Sequence, residues 1–193
     1  MFPKDWNLPN VYLLHGSFST EEMNKLYNHL KVKAFVSLTH GEGFGRPMLE
    51  ASMVGLPVIA SAWSGQMDFL SQENSMLLGG ELVNVPKSQH WKDIIVSESQ
   101  WFNVNETQTY KAMNYCFEQY DEVKEKAMNL MKINRDKFTL NKMTEKLDEI
   151  ITPHVDKVPT QVGIKLPKLK KVDTSKQPKI KLPKLKKTSE ATV

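Results

Sequence analysis

The sequence holds a single cysteine, Cys116, so no disulfide can form within the chain. Cys116 lies in a helical pattern between Tyr115 and Phe117, where a buried, unreactive thiol is expected. A reducing, cytoplasmic location is the matching expectation. Long apolar runs are also missing. None approaches the roughly 20 residues that span a bilayer. The opening MFPKDWNLPN has no basic stretch followed by an apolar one, so no signal peptide is expected. Metal-ligand spacing is lacking as well. His15, His29, His90 and His154 are scattered, and no metal is expected.

What is present is an ordinary globular composition, 40% hydrophobic and 25% charged. The formal charge of +4 conceals two regions of opposite sign. Residues 157–193 carry eleven lysines against Asp173 and Glu190, a net +9, which leaves −5 for residues 1–156. The basic character therefore belongs to a tail and not to the surface of a fold. In that tail IKLPKLKK occurs at Ile164–Lys171 and again at Ile180–Lys187. Proline, lysine and the lack of aromatic residues predict an extended, disordered segment. The expected division is 1–152 for the folded part and 153–193 for the tail.

Strand and helix signals alternate in the first third. Val11–His15 is an apolar run of strand length. Ser19-Thr-Glu-Glu22 fits a capping box, and Met23, Leu26, Tyr27 and Leu30 follow at helical spacing. Ala34–Thr39 is a second strand. A glycine-rich turn leads to Pro47, which suits a first helical position, and that helix runs to about Val54. Gly55 can take the left-handed position after it. Pro57–Ala60 is a third strand. Strands apolar throughout and separated by helices predict a parallel sheet covered on both faces. Residues 62–105 are less regular: Asp68-Phe-Leu fits the start of a short helix, and Met76-Leu-Leu and Leu82–Val85 fit short extended pieces. From about Thr107 three helices are expected. Their stripes are Tyr110, Met113, Phe117 and Tyr120; Val123, Ala127, Leu130 and Met131; and, from Thr139 to Ile151, Leu140, Met143, Leu147 and Ile150. All three stripes are expected to be core.

The chemistry concentrates at the glycine turn. Free N–H groups and the dipole at a helix start favour an anion, and parallel sheets bind ligands at the carboxyl ends of their strands. Gly43 and Gly45 allow close approach of a ligand to the backbone. Glu42 in the turn and Glu50 in the helix each offer a carboxylate that can accept two hydrogen bonds from a diol. Equally, Glu42 can be solvated and Glu50 can complement the helix start. The residues alone leave both readings open.

The string Glu42-Gly43-Phe44-Gly45-Arg46-Pro47-Met48-Leu49-Glu50-Ala51, continued by Gly55 and Pro57-Val58-Ile59-Ala60-Ser61, resembles the donor-binding signature of group 1 (family 4) glycosyltransferases. The resemblance covers roughly Asn10 to Leu78, and Ser64-Gly65 and Asp68 fall where that family usually has a Gly-Gly pair and a Glu. It implies the C-terminal half of a two-Rossmann-domain enzyme, here a partial Rossmann-like sheet with flanking helices. That enzyme would transfer a hexosyl group from a nucleotide-diphospho-sugar, mostly with retention and without a metal or other cofactor. Glu42 would be the catalytic-site residue gripping donor-sugar hydroxyls, helped by the backbone of Gly43, Phe44 and Gly45. Glu50 would hold the ribose. Thr39, Ser64 and Gly65 would line the diphosphate or sugar pocket. Arg46 departs from the family's apolar residue and either contacts phosphate or stands exposed at the rim. His40 either contacts the donor or hydrogen-bonds to backbone.

The family's N-terminal acceptor domain and its catalytic histidine have no counterpart among these residues. The chain alone is therefore expected to be inactive, with a partner chain supplying the missing half and covering an open sheet edge. The polysaccharide or glycolipid biosynthesis typical of such enzymes is the expected setting. The alternative is a non-catalytic nucleotide-sugar-binding or scaffold module. The lysine tail adds an anionic membrane as a peripheral partner, or else forms a solvated linker. Nucleic acid is not expected, because the tail lacks aromatic stacking residues.

Overall fold

The computed structural model describes residues 9–155. Helix α1 (Thr20–Tyr27) opens on the expected capping box: Ser19 Oγ accepts from the Glu22 N–H, and the Glu22 carboxylate accepts from the Ser19 N–H. That hydrogen bond holds the Glu22 carboxyl below its ordinary range. The helix stops at Tyr27, so Leu30 stands exposed past its end.

A three-stranded parallel sheet follows, in the order β1 (Phe35–Ser37), β2 (Val58–Ser61), β3 (Met76–Leu78). Between the first two strands lies α2 (Arg46–Met53), which starts one residue before Pro47. Gly55 has φ +69°, the left-handed conformation that ends such a helix without Cβ strain. All of β2 is buried. Its Val58 and Ala60 meet Tyr27, Leu49, Leu70 and Leu130 on one face, while Ile59 meets Leu78, Cys116 and Val123 on the other. The sheet is thus enclosed on both faces at its centre, as its unbroken apolar strand demanded. The fold is α/β and Rossmann-like, in partial form. Burial pushes the Cys116 thiol up, in keeping with an unreactive side chain.

Of the three expected strands the first is absent, and the short extended piece at Met76–Leu78 takes a place in the sheet. Val11–His15 forms no strand, and Val11, Tyr12 and Leu13 are more than four-fifths exposed. An apolar run becomes a strand only with a neighbour to pair with, and none of the described strands pairs with it. Met76–Leu78 instead pairs with β2 through Ile59–Met76, Ala60–Leu77 and Ser61–Leu78. An antiparallel hairpin, β4 (Gly80–Asn84) and β5 (Gln100–Val104), comes next. The extended piece expected at Leu82–Val85 overlaps the first arm, whereas the second carries no strand signal in the sequence.

Three helices close the described chain: α3 (Glu106–Glu118), α4 (Tyr120–Lys137) and α5 (Leu140–Val155). The stripe of α4 is core as expected, with Val123, Ala127 and Leu130 buried. Two other stripes correct the expectation. Helix α3 packs beside β3 and buries Thr109 and Cys116, whereas Tyr110, Met113 and Phe117 stay exposed. Met113 and Phe117 flank an apolar groove of about 380 Å³ with Val36 and Ile59. Helix α5 buries no residue at all, and Pro153 lies inside its last turn. The rest of the lysine-rich tail lies outside the described residues.

Helix α4 fixes α2 from behind. Arg135 Nε donates to the Met53 carbonyl (2.7 Å) and Lys124 Nζ to that of Gly55. Both place a cation against the carbonyl end of α2, which its dipole favours. Buried Asn134 Nδ2 donates to Ser52 Oγ (2.8 Å) and to the Phe69 carbonyl (3.2 Å).

Candidate functional site

The loop from Thr39 to Gly45 leaves the carboxyl end of β1 and enters α2. It is held by the turn after β2. The Ser64 hydroxyl donates to the Glu42 carbonyl (2.6 Å) and accepts from the Glu42 N–H (3.2 Å). The Gly65 N–H donates to the same carbonyl (3.1 Å). To make these bonds Ser64 takes φ +76°, ψ −157°, a region that is nearly restricted to glycine. Strain of this kind is retained where the surrounding structure over-determines it. Gly65 allows the approach: a Cβ there would run into the Gly43 carbonyl oxygen and lie 2.7 Å from Phe44 Cα. Ser64 and Gly65 thus act on the loop's backbone, and they set where Glu42 sits.

The Glu42 side chain is half-buried and makes no hydrogen bond among the described residues. Its backbone is tied down while its carboxylate is free. Gly45 caps α2 at φ +85° and is buried against Met48, Gln66 and Phe69. The Phe44 ring lies on Phe69 (centroids 5.2 Å) and Phe138 (6.2 Å), which pins the loop from its other side. Thr39 receives the Ser61 hydroxyl on its carbonyl (3.1 Å), while its own Oγ1 is enclosed without a partner. Polar contact from Thr39 to a ligand would therefore run through its backbone.

Glu50 and Arg46 face a groove of about 700 Å³ between α1 and α2, walled by Phe18, Met23, Tyr27 and Val54. That volume is within the range of small-molecule sites. Burial, with the Glu50 carboxylate nearby, holds the Tyr27 phenol above its ordinary value. Arg46 Nε donates to Glu50 Oε1 at 2.8 Å, so the two residues form an i,i+4 pair with Arg46 exposed at the rim. Glu42 is not among the residues lining that groove.

Several residues at the site gave no sequence signal. Gln66 is fully buried and its Nε2 donates to the Ser61 carbonyl (3.0 Å) and hydroxyl (2.8 Å), tying the turn to the end of β2. The hairpin arm β5 leans on the loop: Phe102 N–H donates to the His40 carbonyl (3.0 Å), and His40 Nδ1 lies 2.8 Å from the Phe102 carbonyl. His40 therefore bonds to backbone. Its ring also stacks on Trp101 at 4.1 Å, and Trp63 stacks on Phe102 at 5.6 Å. The pairing crosses about 60 residues of sequence, which local pattern does not reveal. Among the described residues no group of three or more metal-ligating side chains is gathered, and no helix is long and apolar enough to cross a membrane.

These features define a class: a Rossmann-like α/β domain whose glycine loop opens a helix at the carboxyl end of a parallel strand. Residues 4–97, about half of the chain, match the family described as glycosyl transferases group 1. That segment is a partial group 1 glycosyltransferase domain, and the match supports a glycosyltransferase-type function. No curated protein matches the chain.

Proposed function

We propose that the chain is the donor-binding part of a glycosyltransferase that moves a hexosyl group from a nucleotide-diphospho-sugar to an acceptor hydroxyl. The carrying observation is the pinned loop with a free Glu42 carboxylate. A carboxylate on a fixed backbone suits a donor sugar, because vicinal hydroxyls need an acceptor already in place. The nucleoside lies in the α1–α2 groove, where Glu50 accepts from the ribose diol after exchanging its bond to Arg46. The diphosphate lies near the loop and the start of α2, between the two glutamates. In the transfer the bond from the anomeric carbon to the diphosphate breaks, the acceptor oxygen bonds to that carbon, and the acceptor proton leaves with the diphosphate. No metal takes part in this scheme, and the new bond keeps the donor's anomeric configuration.

Among the described residues strand β1 lies at one edge of the sheet, with Val36 and Leu38 about 40% exposed, and Val11–Leu14 pair with no strand. Edges of this kind are usually covered. A half carrying the acceptor site fits that surface. The second reading, a non-catalytic nucleotide-sugar module, is favoured by one observation: the cation within the motif, Arg46, is tied to Glu50 and not free for a leaving diphosphate.

Titration calorimetry of the full chain with UDP-sugars and GDP-sugars tests the binding claim. Binding is expected, with Glu50→Ala reducing affinity at least about tenfold, as loss of a charge-assisted pair of hydrogen bonds requires. No binding of either class, or an unchanged Glu50→Ala variant, would sink it. Radiolabelled transfer by the pure chain alone would overturn the need for a second half.

A further inference from the structure

Helix α5 has a face that the fold does not use. Leu140, Met143, Leu147, Ile150 and Ile151 recur at spacings of three, four, three and one residues, which gathers them on one stripe. Leu140 is 82% exposed, and the other four are 44–57% exposed. The opposite side is charged, and its glutamates are neutralised locally: Lys142 pairs with Glu145 (2.8 Å) and Lys146 with Glu149 (3.6 Å). A helix that buries nothing and is this clearly two-sided has little reason to be helical in water alone.

The chain beyond it says what covers that face. Two residues past Val155 begins a segment with eleven lysines and two acidic residues. Each IKLPKLKK repeat sets isolated Ile and Leu among four lysines, and no aromatic residue occurs in 157–193. Such a charge repels a second copy of the same chain. It attracts any polyanion, but a nucleic acid would leave the apolar stripe uncovered, and stacking residues are lacking. An anionic lipid surface satisfies both parts at once: head groups take the lysines, and the acyl boundary takes the stripe.

We propose that α5 and the lysine-rich chain following it form a two-part anchor on anionic membrane surfaces. Neither part suffices. A short amphipathic stripe or a polybasic run alone gives marginal, reversible association, whereas two signals together hold a protein at the interface. The anchor is peripheral, with the helix lying in the plane of the surface. It is independent of whether the pinned loop binds a nucleotide-sugar.

The test is vesicle sedimentation of the full chain, using phosphatidylcholine vesicles with and without about one third phosphatidylglycerol. Two variants are compared: Leu147→Glu with Ile150→Glu, and the eight repeat lysines changed to glutamine. The altered side chains are partly exposed in the first variant, and far-UV circular dichroism melting checks that each keeps its fold. Wild type is expected to sediment with the anionic vesicles only and to be released by high salt, and each variant to lose about tenfold or more in partitioning. Failure of wild type to sediment overturns the proposal, as does equal sedimentation with neutral vesicles. A glutamate variant that partitions like wild type removes the helix from the anchor. A wild-type dimer that this variant converts to monomer, without vesicle binding, assigns the stripe to self-association instead.

Discussion

Replacing Gly65 with alanine gives the sharpest test of how the loop is held. The added Cβ overlaps the Gly43 carbonyl and stands 2.7 Å from both the Gly43 carbonyl carbon and Phe44 Cα. Ordinary contact begins near 3.4 Å, so the two turns must separate by the better part of an ångström. All the obstructing atoms are backbone and cannot rotate away. Separation breaks or weakens three hydrogen bonds to Glu42, at 2.6, 3.1 and 3.2 Å. At about 0.5–1.5 kcal/mol each, with overpacking of about 1–3 kcal/mol as the alternative if the loop stays, the loss is about 2–4 kcal/mol. For a folded part of this size that lowers the melting temperature by roughly 5–15 °C. Displacement of Glu42 by that distance should also weaken nucleotide-sugar binding about tenfold, through weakened hydrogen bonds to its carboxylate. Differential scanning calorimetry and titration calorimetry on one preparation read both. A Gly65→Ala variant that melts within about 1 °C of wild type and binds equally refutes the close-approach argument.

Two further outcomes follow from the same geometry. Asn134→Ala leaves the Phe69 carbonyl unpaired and a void beside Ser52, and should lower stability by about 2–4 kcal/mol in urea unfolding. A change under about 0.5 kcal/mol would mean that the buried amide contributes nothing net. Arg46→Ala frees Glu50 from an exposed pair, so nucleotide-sugar affinity should be unchanged or up to about twofold tighter. A tenfold loss would instead assign Arg46 to the phosphates.

The sequence was most legible where interactions are local. The Ser19–Glu22 box spans three residues, and the Gly45 and Gly55 turns each serve one helix end. The same holds for β1, α2 and β2, whose boundaries shift by one or two residues. Val11–Leu14 shows the limit: an apolar run states that a segment wants a partner and not that one is within reach. The stripes of α3 and α5 teach the same lesson, since periodicity names a face without naming what covers it. At the site, Glu42, Glu50 and the glycines were visible as a motif. The positive φ of Ser64 and the lean of Phe102 on His40 depend on three-dimensional closure.

The bonds from Asn134 to Ser52 and from Arg135 to Met53 each join residues 82 positions apart. Closing such long loops is slow, because chain entropy is lost before the contacts reward it. Helix α2 and its Glu50 therefore reach their final position only once α4 has docked. In a chain emerging from the ribosome, the α1–α2 groove, which Arg135 of α4 also lines, would be among the last features to form.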